Sequence, residues 1–145
     1  MKYAAKKQNS CVLIESTANQ VDQNGGYSGM TPKDFYEFCL QEAENAGLDK
    51  DRVFLGGDHL GPLTVSSKPE TEAMEYAKTL VHDYVRAGFT KIHIDTSMKV
   101  ADDDPNTRLS DEIIARRGAT LAKVCEEAYQ ELLEENPEAI HPVYI

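Results

Sequence analysis

The sequence predicts an α/β protein with parallel strands, and two observations favour that class. Short apolar runs alternate with amphipathic helical segments, and the apolar runs recur at a regular interval. Ile14 lies 41 positions before Leu55, and Leu55 lies 39 positions before Ile94. Parallel strands need a crossover connection, usually a helix, and units of this length are typical of a (β/α)8 barrel with insertions. A doubly wound sheet is the alternative, although no Gly-rich dinucleotide fingerprint follows any of these runs.

The first strand and helix are predicted from an apolar run and a set of capping residues. Residues 11–14, Cys-Val-Leu-Ile, predict a buried strand, and residues 15–29 are polar and rich in glycine at their end, as in a long loop. Thr31 then supplies an N-cap, and a proline follows it at the first helical position. We expect a helix to about residue 46, ended by Gly47 in the left-handed conformation.

The same order repeats along the rest of the chain. An apolar run predicts a second strand over 53–55, and apolar residues at helical spacing predict a helix over 69–87. A third strand is expected over 91–94, and a third helix begins near Ser110 and ends before Asn136-Pro137. The closing residues 142–145 predict a fourth strand.

Composition excludes several classes of function. Of 145 residues, 41% are hydrophobic, which suffices for the core of one domain, and no apolar run approaches the roughly 18 residues of a membrane span. A net charge of -10 disfavours nucleic acid as a partner, although one helix N-terminus or one arginine could still hold a small phosphorylated ligand. The three cysteines lie far apart without a CxxC pair, so we expect a reduced, cytoplasmic protein.

Polar residues follow three successive apolar runs. The first run leads into Glu15, the second into Asp58 and His59, and the third into Asp95. Because the carboxyl ends of parallel strands open on one face, we expect these side chains to converge. Alternation along the third strand places His93 on the same side as Asp95, where an interior histidine with a hydrogen-bond partner is the favoured interpretation.

The pair Asp58-His59 carries the chemistry that the residue types suggest. Alternation places Gly56 on the same side of the second strand as Asp58, so the glycine leaves space beneath the carboxylate. Asp58 suits a general acid or base, and His59 suits a ligand to a divalent metal. No second histidine stands at ligand spacing on the same element, so the pair alone is a weak metal signal.

Three segments together resemble one known family. They are LIESTANQVDQNGGYSGMTP over 13–32, FLGGDHLGP over 54–62 and YVRAGFTKIHIDTSM over 84–98. In this order they resemble the GatZ/KbaZ family, described as accessory, non-catalytic subunits of class II D-tagatose-1,6-bisphosphate aldolase. The resemblance implies a TIM barrel and two partners, the catalytic aldolase subunit and a phosphorylated ketohexose.

A more distant similarity to catalytic class II aldolases implies roles for individual residues. By that similarity Asp58 is the acid/base candidate and Asp95 a second catalytic candidate, while His59 is a ligand of zinc or a similar divalent metal. The implied substrate contacts are Glu15, Thr17, Asn19, Gln20 and Ser97. The further histidine ligands of those enzymes come from later strands than this chain has.

Members of this family are considerably longer than 145 residues. The resemblance therefore implies that residues 1–145 form a single partial TIM-barrel domain of about four parallel strands and their helices. We expect it to begin near the end of the first helix, at Lys2 to Gln8, and to stop in about the fifth strand. Because a barrel closes only when all its strands pair, we expect the isolated piece to unfold with poor cooperativity and to aggregate.

The resemblance leaves two functions open. The first is an accessory subunit that supports the stability and activity of the catalytic subunit in galactitol, tagatose or N-acetylgalactosamine catabolism. The alternative is a stand-alone, metal-dependent epimerase or aldolase acting on ketohexose phosphates of the tagatose 6-phosphate and fructose 6-phosphate type. Whether the chain is itself an enzyme therefore stays open. A kinase is unsupported, because the sequence contains no P-loop.

Overall fold

The fold is a four-stranded parallel sheet with its helices in the connections, which confirms the predicted α/β class. The computed structural model describes residues 7–145, and the strands lie in chain order across the sheet. The strands are β1 (Val12–Thr17), β2 (Val53–Leu60), β3 (Lys91–Ile94) and β4 (Val143–Tyr144), and the helices are α1 (Pro32–Asn45), α2 (Glu70–Arg86) and α3 (Asp111–Glu135). Short 3-10 turns cover Lys50–Arg52 and Leu63–Val65.

The sequence predicts the end of a helix over Lys2 to Gln8. Most of that segment lies outside the described residues, and its last two residues, Lys7 and Gln8, are helical. No helix among residues 7–145 combines the length and the apolar composition that crossing a membrane requires.

The capping residues predicted for α1 are confirmed. The Thr31 hydroxyl accepts a hydrogen bond from the backbone N–H of Asp34 at 3.3 Å, and the Asp34 carboxylate accepts one from the Thr31 N–H at 3.0 Å. This reciprocal capping box satisfies two N–H groups that the first turn leaves without partners. Gly47 follows the helix at φ +66°, the left-handed conformation expected of it.

The first two strands are longer than predicted, and β2 is the more informative case. The apolar run predicts a strand over 53–55 with Asp58 and His59 at its tip, whereas β2 continues to Leu60. Gly57 faces the helices, where a Cβ atom would lie 2.5 Å from Leu60 Cδ1 and 2.7 Å from the Tyr84 ring. The second glycine therefore belongs to the strand because a large side chain packs over it, not because the chain turns there. Similarly, β1 includes the polar residues 15–17.

The core lies between the helix-facing side of the sheet and helices α2 and α3. Ile92 and Leu55 are buried there from the sheet, as alternation predicts. Tyr84 is fully buried, and its hydroxyl donates to the Val21 carbonyl at 2.9 Å while also contacting the Ser16 hydroxyl at 3.0 Å. These bonds fasten the loop that follows β1 onto α2.

A buried arginine joins the loop after β3 to two helices. Arg117 in α3 has no solvent exposure, and its guanidinium donates to both oxygens of Asp103 at 2.9 Å and to Glu70 at 2.7 Å. Arg116 reaches the other Glu70 oxygen at 2.6 Å. The hydrogen bonds from Arg116 and Arg117 outweigh the effect of burial and hold the pKa of Glu70 at about 2. Helical periodicity did not predict this cluster, because it treats α3 only as an apolar stripe.

Neutralising Glu70 should reduce the loss of stability in acid. The folded pKa of about 2 lies below the ordinary value of 4.5, so the stabilisation is present above pH 4.5 and is lost as the pH falls toward 2. We expect Glu70→Gln to be less stable than the unsubstituted chain at neutral pH and to lose less stability over that range. Denaturant unfolding of a full-length protein that contains these residues, at several pH values, measures this. Glu134→Gln, at an exposed position of α3, should behave like the parent protein.

Two glycine substitutions should have opposite effects. Gly57→Ala forces a methyl group against Leu60 and Tyr84 and should destabilise the fold by about 1–3 kcal/mol. Gly118→Ala in α3 places its methyl group 3.5 Å from Thr96 Oγ1, an ordinary contact, and should stabilise the helix by about 0.5–1 kcal/mol. The free energy of unfolding of a full-length protein that contains these residues distinguishes them, and equal effects would contradict the packing assigned to Gly57.

Candidate functional site

The side of the sheet away from the helices carries an ion pair that crosses three strands. Glu15 of β1 pairs in register with Gly56 of β2, and Gly56 pairs with Lys91 of β3. The ammonium group of Lys91 binds a carboxylate oxygen of Glu15. A Cβ atom at position 56 would lie 2.8 Å from Glu15 Oε1 and 3.0 Å from Lys91 Cδ. Gly56 therefore provides the space that the ion pair occupies above β2.

Asp58 is the centre of the next layer toward the strand ends. Its Oδ1 atom lies 2.8 Å from His93 Nδ1 and 3.3 Å from Lys91 Nζ, and its Oδ2 atom lies 3.2 Å from His59 Nδ1. The hydrogen bond from His93 is the main cause that lowers the pKa of Asp58 to about 2, with help from Lys91 and His59 and against the effect of burial. Asp58 is therefore an anion at neutral pH.

A bulge in β2 brings the His59 side chain next to Asp58 and His93. His59 has φ +87°, and the pairing of β2 with β3 shifts register between Gly57 and Leu60. A bulge of this kind re-aims a side chain near the end of a strand. As a result, the His59 and His93 rings lie with centroids 4.1 Å apart.

Asp58, His59 and His93 form a set of ligand atoms that fits a divalent metal. One carboxylate oxygen and two imidazole nitrogens lie within 4.8 Å of one another. Two histidines and one carboxylate are a donor set used for zinc and for other divalent transition metals. Tetrahedral zinc with bonds of about 2.0–2.2 Å separates its ligands by about 3.4 Å, so small side-chain shifts suffice here.

Asp95 and Ser97 follow β3 beside this cluster. Asp95 Oδ1 accepts hydrogen bonds from the Ser97 N–H at 2.9 Å and from the Ser97 hydroxyl at 2.6 Å. Burial acts to raise the pKa of Asp95, but these bonds and the nearby histidines His59 and His93 outweigh it, so the pKa is lowered. Gly61 permits the close approach, because a Cβ atom there would lie 1.8 Å from the Asp95 carbonyl oxygen.

The remaining predicted residues organise the turn after β1. Gln20 Oε1 accepts from the Thr17 N–H at 2.9 Å, and the Asn19 carbonyl accepts from the Tyr27 N–H at 3.0 Å. Thr17 is in register with Asp58 on the neighbouring strand, whereas the Asn19 side chain is exposed. Their assignment as substrate contacts stays a prediction.

Two residues of the site were not foreseen as functional. The sequence interpretation of His93 as an interior histidine with a partner is confirmed by its bond to Asp58, but its place beside His59 adds a second candidate ligand. Lys91 was not singled out at all. The sequence feature that could have identified His93 and Lys91 is the alternation of β3, which places residues 91, 93 and 95 on one face of the sheet.

Comparison with known proteins identifies the family of this chain. The model of the family "D-tagatose-1,6-bisphosphate aldolase subunit GatZ/KbaZ-like" matches residues 1–145. The chain belongs to the GatZ/KbaZ-like family. A crystal structure described as a probable tagatose 6 phosphate kinase from Sinorhizobium meliloti 1021 is 42% identical, with a TM-score of 0.84. The match covers 97% of this chain and 33% of that chain, so this GatZ/KbaZ-like chain spans about a third of that protein's length and has a partial TIM-barrel fold.

The ligand set predicts one metal site that depends on both histidines. We expect Zn²⁺ to bind the full GatZ/KbaZ-like chain at one site, and His59→Ala or His93→Ala to weaken binding at least tenfold, because each removes one of three donors. Isothermal titration calorimetry measures the affinity. His82→Ala is the control, since His82 is a half-exposed histidine paired with Glu131 on the helices, and it should bind like the parent chain.

Proposed function

We propose that this GatZ/KbaZ-like chain contributes the metal-binding face of a protein that acts on phosphorylated ketohexoses. The reaction is of the epimerase or aldolase type, with tagatose 6-phosphate or fructose 6-phosphate as the substrate class. One observation carries the proposal, the convergence of Asp58, His59 and His93 at the carboxyl ends of β2 and β3. A protein with a purely scaffolding role has no need for such a donor set.

The charge of the site supports a bound cation. Among residues 7–145, the carboxylates of Glu15, Asp58 and Asp95 face the ammonium of Lys91 at this site, so negative charge is in excess. A phosphorylated sugar is itself an anion, so it would be repelled unless a cation reverses the local charge. Asp58, His59 and His93 would hold a divalent metal, which would supply that charge and act as a Lewis acid toward a ketose carbonyl.

The residues of the chain divide into ligands and groups that contact the sugar. Asp58, with a pKa of about 2, remains ionised at neutral pH, which suits a metal ligand better than a proton carrier. His59 and His93 offer the two nitrogens. Asp95 and Ser97 are then the groups placed to bind sugar hydroxyls. A role for Asp58 as the general acid or base is the alternative to its role as a metal ligand.

The second candidate function is the accessory subunit, and the family's description as an aldolase subunit favours it. In that role the chain would stabilise the catalytic subunit of class II tagatose-bisphosphate aldolase in cytoplasmic galactitol, tagatose or N-acetylgalactosamine catabolism. The kinase description of the similar crystal structure is not carried over, because this sequence contains no P-loop.

Turnover without a partner distinguishes the two functions. A full-length relative carrying these segments is incubated with Zn²⁺ or Mn²⁺ and with tagatose 6-phosphate, fructose 6-phosphate or tagatose 1,6-bisphosphate, and products are followed by chromatography. We expect turnover, and we expect Asp58→Asn to lower kcat/KM at least a hundredfold, because that variant lacks the anionic ligand.

The control for this experiment is Asp49→Asn, an exposed aspartate in the turn before β2, which should retain full turnover. If the relative alone is inactive but raises the activity or thermal stability of a class II aldolase subunit, the accessory function replaces the first proposal.

A further inference from the structure

Lys91 lies between the carboxylates of Glu15 and Asp58, and Asp58 is one of the three candidate metal ligands. Its ammonium binds Glu15 and lies 3.3 Å from Asp58 Oδ1. The Lys91 side chain is only 19% exposed, so solvent screens these charges less than it does at the surface. Its stem passes over Gly56, where the absence of a Cβ atom leaves room for it. The arrangement spans β1, β2 and β3 at one level of the sheet.

We propose that Lys91 is an internal cation that competes with a divalent metal for Asp58, and that Glu15 sets the strength of this competition. This inference rests on the metal site of the proposed function and adds the residues that set its affinity. Lys91 is not a ligand, because an ammonium group has only donors. It acts through the charge that it places beside the ligand.

The hydrogen bonds of Asp58 support competition. Asp58 Oδ1 accepts hydrogen bonds from both His93 and Lys91. If His93 offers its Nδ1 atom to a metal, its bond to Asp58 Oδ1 must break, and if it offers Nε2 that bond can remain. In both cases the ammonium of Lys91 faces an incoming cation across the same carboxylate. Glu15 gives Lys91 a second acceptor, so Lys91 can turn toward Glu15 when a metal takes Asp58.

The signs of three substitutions follow from this arrangement. Lys91→Met removes the competing cation and leaves Glu15 unpaired beside the site, so Zn²⁺ should bind about tenfold more tightly. Glu15→Gln leaves Lys91 with Asp58 as its charged partner, so Zn²⁺ should bind about tenfold more weakly. The double variant removes one charge of each sign and should bind within about threefold of the parent chain.

The test measures the Zn²⁺ dissociation constant of the full chain by calorimetry or by competition with a fluorescent chelator. Folding of each variant is checked by circular dichroism, and Glu15→Gln on the outer strand β1 provides a second test if Lys91→Met does not fold. Lys78→Met is the matched control, because Lys78 pairs with Glu75 on the surface of α2, 2.6 Å apart, and its loss should not change the affinity.

Two results would overturn the inference. Affinities within twofold of the parent chain for both Lys91→Met and Glu15→Gln would mean that the ion pair does not act on the metal. Weaker binding in Lys91→Met would mean that Lys91 supports the site instead of competing with the ion. Failure of the proposed metal site itself has a different signature, since the parent chain would then bind Zn²⁺ no better than His93→Ala.

Discussion

The register of β1, β2 and β3 is the constraint on which the candidate site depends. Because Glu15, Gly56 and Lys91 pair in register, one ion pair crosses the sheet. Asp58 lies two residues after Gly56, on the same face of β2, and there it contacts His93. A shift of one residue in any of these strands would send their polar side chains into the helix-facing core. The buried residues Leu55 and Ile92 on the opposite face oppose that shift.

The site combines a fixed charge arrangement with a local departure from regular structure. The register of β2 and β3 places Asp58 beside His93, and the bulge at His59 adds a second histidine to them. Regular packing alone would leave Asp58 beside His93 and direct the next residue elsewhere. The regular strands therefore position Asp58 and His93, and the irregular backbone of His59 completes the set of three donors.

Sequence reasoning predicted the elements well where local chemistry determines them. The cap at Thr31, the stop at Gly47 and strand β3 are as expected, since each depends on residues close in the chain. The extent of β2 to Leu60 was not predicted, because it depends on packing of Gly57 against Tyr84 from a helix distant in the chain. Arg117 was missed for the same reason, as its partners Asp103 and Glu70 are brought to it by the fold.

The left-handed backbone of His59 lowers the stability of the fold, whereas its imidazole is a candidate metal ligand. A residue other than glycine in this region carries a conformational cost of about 1–3 kcal/mol, which the surrounding sheet must offset. Glycine would relax the chain there, but it would also delete an imidazole. Efforts to make this protein more heat-resistant by relieving unfavourable dihedral angles would therefore select a residue that is also a candidate metal ligand.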